Sequence, residues 1–406
     1  MQSYDEALAQ ILGSVTVPLA TELVPLKQAR GRAVASDILA TCDLPPFDNS
    51  MVDGYAVRAA SVGSASEELG LSLPITMEIP AGSWPTRALN AGEAARIFTG
   101  APIPQGCDAV VMVEDTDERE HGDEDDELGR VTLRHPGSGG YIRRRGSDLV
   151  TGALAIPAGT TLCAGEIGLL AALGLTEIPC PRRPRVGILS TGDELISLAH
   201  TVLQPGQIRD SNGPALAAAI EEAGGMVVRR AHAKDTPEAV SEAFTKLSGC
   251  DLIIASGGVS VGDHDHVKAV LEAQGTLSFW RIAIKPGKPL AFGTLGDALF
   301  FGLPGNPVSS LVTFELFVRP LLRKLAGHMG CLRPQITVTL ATPLAHTLGR
   351  REFVRASLDD NLRATPTGAQ GSHRTSSMVG ADVLIIAHEH HGDYPTGAAL
   401  PALVLS

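Results

Sequence analysis

DLIIASGGVSVGD (251–263) is the stretch whose reading decides the fold. Its first half is a short apolar run of β-favouring residues, its second half is a glycine-rich loop, and the helical pattern DHVKAVLEAQG (265–275) follows. Strand, small-residue loop, helix is the repeating unit of an α/β sheet. The order recurs on both sides. Upstream, VGILST (186–191) runs into Gly192-Asp193-Glu194, and PALAAAIEEAGG (214–225) reads as a helix stopped by paired glycines. MVVRRAHA (226–233) is a strand, and TPEAVSEAFTKL (236–247) a helix with Thr236 as N-cap and Pro237 at its first position. Downstream, ALFFGL (298–303) leads through Pro304-Gly305-Asn306-Pro307 into a long helix, VSSLVTFELFVRPLLRKLAG (308–327). Residues 181–328 therefore read as a doubly wound, mostly parallel α/β domain.

Working outward, the texture changes on both sides of that domain. Tyr4–Leu12 has helical apolar spacing, and Glu22–Ile38 reads as helix followed by strand. At Leu44 a Pro/Asn/Asp cluster, PPFDNS, marks a domain crossing. From 44 to 137 short β-type runs dominate (LPITMEI, ARIFTG, DAVVMVE, GRVTL), which predicts an inserted β module. The flanking pieces 1–43 and 138–180 carry a helix over 164–175 and lead into a Pro-rich linker at 179–184. After Cys331 the pattern is again β (QITVTLA, EFVRASL, DVLIIAHE, ALVLS), so 329–406 reads as a small barrel or sheet. The whole is an α/β-plus-β multidomain chain.

Composition narrows the function classes. A chain of 406 residues suggests two to three domains, or four small ones, and 44% apolar with 19% charged residues excludes general disorder. Formal charge is −12, but 114–127 alone holds ten acids against one Arg. The rest is near neutral, which argues against nucleic acid or an anionic membrane as partner. That acidic tract reads as a solvated hairpin loop. The six cysteines are scattered, with no paired spacing for zinc, which suits a reducing cytoplasm. The N-terminus is acidic and helical rather than signal-like, and no apolar run reaches 18 residues.

The chemistry gathers where strands end. Ligands of open α/β sheets bind beyond the carboxyl ends of the strands. Here those ends carry Thr191-Gly192-Asp193-Glu194, then Ser256-Gly257-Gly258-Val259-Ser260-Val261-Gly262-Asp263, then Pro304-Gly305-Asn306-Pro307-Val308-Ser309. Singly each is a tight turn; together they form a cradle for a phosphate-like anion. None is a Walker A or a dinucleotide fingerprint. In IKPGKP (284–289) Pro and Gly orient Lys285 and Lys288 as two point charges suited to an oxyanion, the alternative being two solvated turn lysines. Acids lie in nearby loops: Asp53, Asp148, Glu194, Asp210, Asp235, Asp263 and Asp265. Carboxylates beside a phosphate repel it unless a hard cation intervenes, which points to Mg²⁺. Asp210 and Asp263 read better as cap or loop residues. His264, His266 and the cluster His388, His390 and His391 read as exposed rather than metal-ligating.

In this order the stretches FDNSMVDGYAV, RIFTGAPIPQGCDAVVMVE, RRRGSDL, GILSTGDEL, PGQIRDSN, SGGVSVGDHD, IKPGKPLAFG, LPGNPVSSLVTFE, GRREFVR and QGSHRTSSM resemble the molybdopterin molybdenumtransferase family. The resemblance implies an elongated four-domain homodimer, with a discontinuous N-terminal domain (1–43 and 138–180) interrupted by the β module and a C-terminal barrel (329–406), whose active cleft lies between the α/β domain of one subunit and the β module of the other. It implies insertion of molybdenum from molybdate into adenylylated molybdopterin, with release of AMP and help from Mg²⁺. By motif, Asp53, Asp148, Glu194, Asp235 and Asp265 would be catalytic, with Glu194 and Asp265 holding Mg²⁺. Thr99, Ser256, Gly257, Gly258, Ser260, Gly262, Lys285, Lys288, Pro304, Gly305, Asn306, Pro307, Ser309, Arg350 and Ser376 would bind substrate. Candidate partners are the molybdopterin adenylyltransferase and molybdoenzyme chaperones. Departures from the pattern are Met51-Val52 before Asp53, Gly380-Ala381-Asp382 after the SSM motif, and an acidic insertion at 117–127. The alternatives are a non-catalytic scaffold of the gephyrin kind and the adenylyltransferase itself.

Overall fold

The computed structural model describes residues 1–117, 128–199, 202–258 and 266–405. Asp263, Asp265, Ser260, Gly262 and His264, together with most of the acidic tract, lie outside the described residues. The chain divides into two compact units, one of 1–36, 158–164 and 177–406, the other of 37–157 and 165–176.

In the first unit, six strands form one sheet in the order Met226–Ala233, Arg185–Thr191, Leu252–Ser256, Ala298–Leu303, Pro289–Leu295, Gly275–Arg281. The first four are mutually parallel and the last two antiparallel. Side-chain alternation splits the core. Ile188, Ile254 and Phe301 face the helix Asn212–Glu222 and the helical run Pro307–Leu325. Leu189, Ile253, Ala255 and Phe300 face Pro237–Lys246 and His266–Gln274. Helices thus cover both faces, as the near-continuous apolar strands require. Thr236 caps its helix as its sequence predicts, its hydroxyl accepting from the Ala239 N–H at 3.2 Å. The long helix is one run with a π-helical turn at Phe314–Val318, just before Pro320, whose missing N–H breaks the regular ladder.

The C-terminal strands close on themselves. Arg351–Leu358, Arg363–Pro366, Gln335–Leu340, Ala399–Val404 and Val383–Ala387 follow one another, and the last pairs back onto the first. This five-stranded barrel has its own core around Val354, Ala356, Ile385 and Leu400. A two-residue strand, Ile284–Lys285, pairs in parallel with Arg351 and Glu352, so the lysine turn is stitched to the barrel.

In the second unit the strands run Ala109–Met112, Gly54–Val57, Ala94–Ile97, Leu71–Ile79, Arg130–Leu133. The two strands flanking the acidic tract are opposite edges of this sheet, and a Thr116–Leu133 bridge joins those edges beside the tract. The Asp117 N–H also donates to the Thr132 carbonyl and the Arg134 N–H to the Asp115 carbonyl, both at 2.9 Å, so the described ends of the tract pair antiparallel as hairpin arms do.

Two local expectations are corrected. Glu22–Ile38 does not begin with a helix: Thr21–Pro25 is a strand, and Leu26–Gln28 a single 3₁₀ turn. The supposed linker at 179–184 is in part its partner, since Glu177–Pro181 pairs antiparallel with Thr21–Pro25. Each strand satisfies the other's backbone groups, a gain that local propensity cannot report.

Candidate functional site

Numbered along the chain, the sheet's six strands run in the spatial order 2-1-3-6-5-4. The order reverses between Arg185–Thr191 and Leu252–Ser256, where the crossovers from adjacent strands leave to opposite faces and open a crevice. A cleft of about 670 Å³ lies there. From the predicted residues it gathers Glu194, Asp235, Ser256, Gly257, Gly258, Pro304, Gly305, Asn306 and Pro307. All three strand-end loops therefore meet at one place.

What holds the loops together is a residue that sequence reasoning passed over. Asn212, at the start of the helix Asn212–Glu222, donates its amide to Ser256 Oγ at 2.9 Å and to the Gly305 carbonyl at 2.7 Å. One side chain thus ties two loops. Asp210 plays the capping role expected of it: its carboxylate accepts from the Gly213 N–H at 2.9 Å and from Ser190 Oγ at 2.7 Å. Both residues sit in the motif QIRDSN, where an Asn before a helix reads simply as a cap.

The glycine pair Gly257-Gly258 is required by space and by conformation. Both have positive φ, +92° and +64°, and a Cβ on either would press on Thr191 at 2.9–3.0 Å. The Gly257 N–H is already spent on the Leu303 carbonyl at 3.2 Å. The Thr191 hydroxyl beneath them is buried without a partner among the described residues. Glu194 and Asp235 are both exposed at the cleft, and the Asp235 N–H approaches Asp193 Oδ1 at 3.4 Å.

Other predicted residues fall elsewhere. Lys285 and Lys288 are exposed on the turn next to Pro289, which does line the cleft. Lys285 forms an ion pair with Glu352 of the barrel, Nζ–Oε1 3.0 Å. Ser309 is buried one turn into its helix. From the barrel, His373 rather than Ser376 or Arg350 reaches the cleft wall. Ser376 is exposed on the turn Thr375–Met378, while its neighbour Ser377 is buried and accepts from Arg355 Nη2 at 3.0 Å.

In the second unit, Asp53 and Thr99 do come together. Asp53 precedes the strand Gly54–Val57 and Thr99 follows Ala94–Ile97, two paired neighbours. The Thr99 N–H and hydroxyl both donate to Asp53 Oδ1 at 2.7 Å. Those two donors hold the Asp53 carboxyl below the usual carboxylate range, so it is an exposed, ionised oxygen at neutral pH. Asp148 is exposed, and its N–H donates to the Leu44 carbonyl at 2.9 Å.

Among the described residues no three His, Cys, Asp or Glu side chains converge into a metal cage, and no helix is long and apolar enough to cross a membrane. Among the described residues no disulfide joins two cysteines.

Residues 2–174 match the MoeA N-terminal region (domains I and II), 187–324 a probable molybdopterin binding domain, and 337–405 the MoeA C-terminal region (domain IV). A molybdopterin molybdenumtransferase of Haemophilus influenzae is 38% identical over 98% of this chain and 97% of its own. One from Nostoc is 41% identical over 88% of this chain and 82% of its own. A crystal structure of the molybdopterin biosynthesis MoeA protein of Pyrococcus horikoshii superposes with a TM-score of 0.85 at 29% identity, covering both chains completely.

Proposed function

The chain belongs to the molybdopterin molybdenumtransferase family, and we propose that its cleft at the sheet's reversal point binds adenylylated molybdopterin for molybdenum insertion. The observation that carries this is the convergence of the Thr191–Glu194, Ser256–Gly258 and Pro304–Pro307 loops on one cleft, locked by Asn212. The scaffold and adenylyltransferase alternatives are not favoured: relatives over nearly the whole length are named as the transferase.

The reaction places molybdenum from molybdate on the two dithiolene sulfurs, one molybdate oxygen leaving as water with the two thiol protons, and hydrolyses the phosphoanhydride bond between the adenylyl phosphorus and the molybdopterin phosphate, releasing AMP. This chain's residues divide that work. The glycine loops and the start of Asn212–Glu222 receive the phosphate end. Lys285 and Lys288 take the molybdate or pyrophosphate oxygens, and Arg350 and Ser376 would approach the substrate from the barrel. Glu194, with Asp265, would hold Mg²⁺, and Asp235 lines the same cleft; Asp148 belongs with Asp53 to the other unit. Exposed carboxylates at a phosphate cleft are donors of the kind Mg²⁺ takes, one or two of them alongside substrate phosphate and its own waters. Bound there, the ion would neutralise charge on the phosphate being cleaved. We place the reaction in the cytoplasm of the cell.

Asp53 and Thr99 belong to the other compact unit. A homodimer would bring them from one subunit to the cleft of its partner, where Asp53 orients the attacking oxygen. The test is a tagged heterodimer purified from cells expressing Asp53→Ala and Glu194→Ala chains together. Each homodimer is expected to be inactive. The heterodimer contains one site with both substitutions and one intact site, so it should recover about half the wild-type rate. A heterodimer as inactive as its parents would show that both residues must come from one chain, or that neither is needed as described.

A further inference from the structure

The lysine turn is held from two sides. Gly287 packs against Thr313 of the long helix, and on the other side the strand Ile284–Lys285 pairs with Arg351 and Glu352 of the barrel. Glu352 is a buried carboxylate, its side chain only 6% exposed. One of its oxygens meets Lys285 Nζ at 3.0 Å, the other His346 Nδ1 at 3.1 Å. His346 is buried too, and its Nε2 faces the His388 carbonyl at 3.1 Å.

From this arrangement we infer that Glu352 is the positioning residue of Lys285, and that His346, on the other carboxylate oxygen, holds Glu352 in place for that task. The inference rests on the reading of Lys285 as a molybdate ligand. A solvated lysine side chain is spread over many rotamers. Anchoring it on a buried carboxylate removes that freedom before the anion arrives, which is preorganisation. A carboxylate alone would also cancel the lysine's charge. The His346 side prevents this. Both imidazole nitrogens face oxygen acceptors, so both contacts are satisfied only when a proton also lies between Nδ1 and Glu352. The pair is then neutral overall and Lys285 keeps its positive charge for the anion.

The surroundings are mixed in sign. Arg355, on the same barrel strand, is buried and feels the Glu352 charge. From the segment that follows Val383–Ala387 come the His388 carbonyl, the Tyr394 ring at 6.2 Å from the imidazole, and Asp393, which accepts from the His346 N–H at 2.8 Å. Arg351 is turned away toward Asp5 and Glu389.

Glu352→Gln separates charge from position. Its carbonyl can still accept from Lys285, and its amide can donate to a neutral His346 Nδ1, so the geometry survives without the carboxylate charge. In steady-state assays of the full-length protein, Glu352→Ala should raise the KM for molybdate about tenfold with kcat and the KM for adenylylated molybdopterin nearly unchanged. Glu352→Gln should restore molybdate KM to the wild-type value or below. If the alanine variant does not fold, Glu352→Asp decides: its shorter carboxylate keeps the charge but draws back from Lys285, so molybdate KM should rise with kcat unchanged, and an unchanged KM overturns the inference. So does an unchanged molybdate KM in Glu352→Ala when Lys285→Ala raises it. Should Lys285→Ala itself leave molybdate KM unchanged, the oxyanion reading of the turn fails and the inference falls with it.

Discussion

His328 shows how a single side chain ties stability to pH. It is buried beside Thr161 Oγ1 at 2.7 Å and Arg323 Nη2 at 3.2 Å, where the guanidinium can only donate, so the ring nitrogen there accepts and the ring is neutral. Burial, reinforced by the Arg323 charge, pushes the imidazole down to about 4. The unfolded chain takes up this proton near pH 6.5 and the folded chain not until about 4. The contribution is therefore full above pH 6.5 and is lost as pH falls through that window, on the order of 3 kcal/mol in all. His328→Gln, which can still accept from Arg323, should flatten the acid limb of the unfolding free energy between pH 6.5 and 4. An acid limb as steep as the wild type's would contradict this. The residue scale is also where the sequence was least complete. The Asp53–Thr99 pair follows from the family motif, but Asn212 could not be told from an ordinary helix cap until the loops it joins were placed.

At the scale of elements, the lysine turn is the most constrained piece of the candidate site. Gly287 has φ +101°, and a Cβ there would lie 2.3 Å from Thr313 Cγ2. Thr313 cannot give way: it is fully buried, and its hydroxyl is tied to the Ser309 and Ser310 carbonyls at 2.7 and 3.0 Å. Gly287→Ala should cost about 1–3 kcal/mol in urea unfolding and raise the KM for molybdate. A variant within about 0.5 kcal/mol of wild type and with unchanged KM would show that the turn is not pinned. The same turn explains what the sequence hid. Its Pro and Gly residues read as loop, masking the flanking antiparallel strands Gly275–Arg281 and Pro289–Leu295. Gly54–Val57 was hidden in the same way, because Asp53-Gly54 reads as a turn although all four residues are buried in a sheet. Strands whose apolar runs end in glycine loops were legible, since burial on both faces writes itself into the composition.

At the scale of the molecule, the closure of the C-terminal strands into a barrel was implied only by the family resemblance, whereas the α/β sheet and the β character of the regions before and after it were legible from changes of period along the chain. The pairing of Thr21–Pro25 with Glu177–Pro181, some 150 residues on, was not, because nothing local encodes a distant partner. The strand-end loops give the cleft its place, and the family gives it its substrate. If the cleft couples the two chemical events, neither should occur alone. The deciding measurement incubates the purified protein with adenylylated molybdopterin, Mg²⁺ and molybdate, and follows AMP release together with molybdenum bound to the pterin. The account predicts that the two rise together in a one-to-one ratio and that omitting molybdate leaves the nucleotide bound and largely uncleaved. Nucleotide held without cleavage or metal uptake, in the presence of every component, would contradict it.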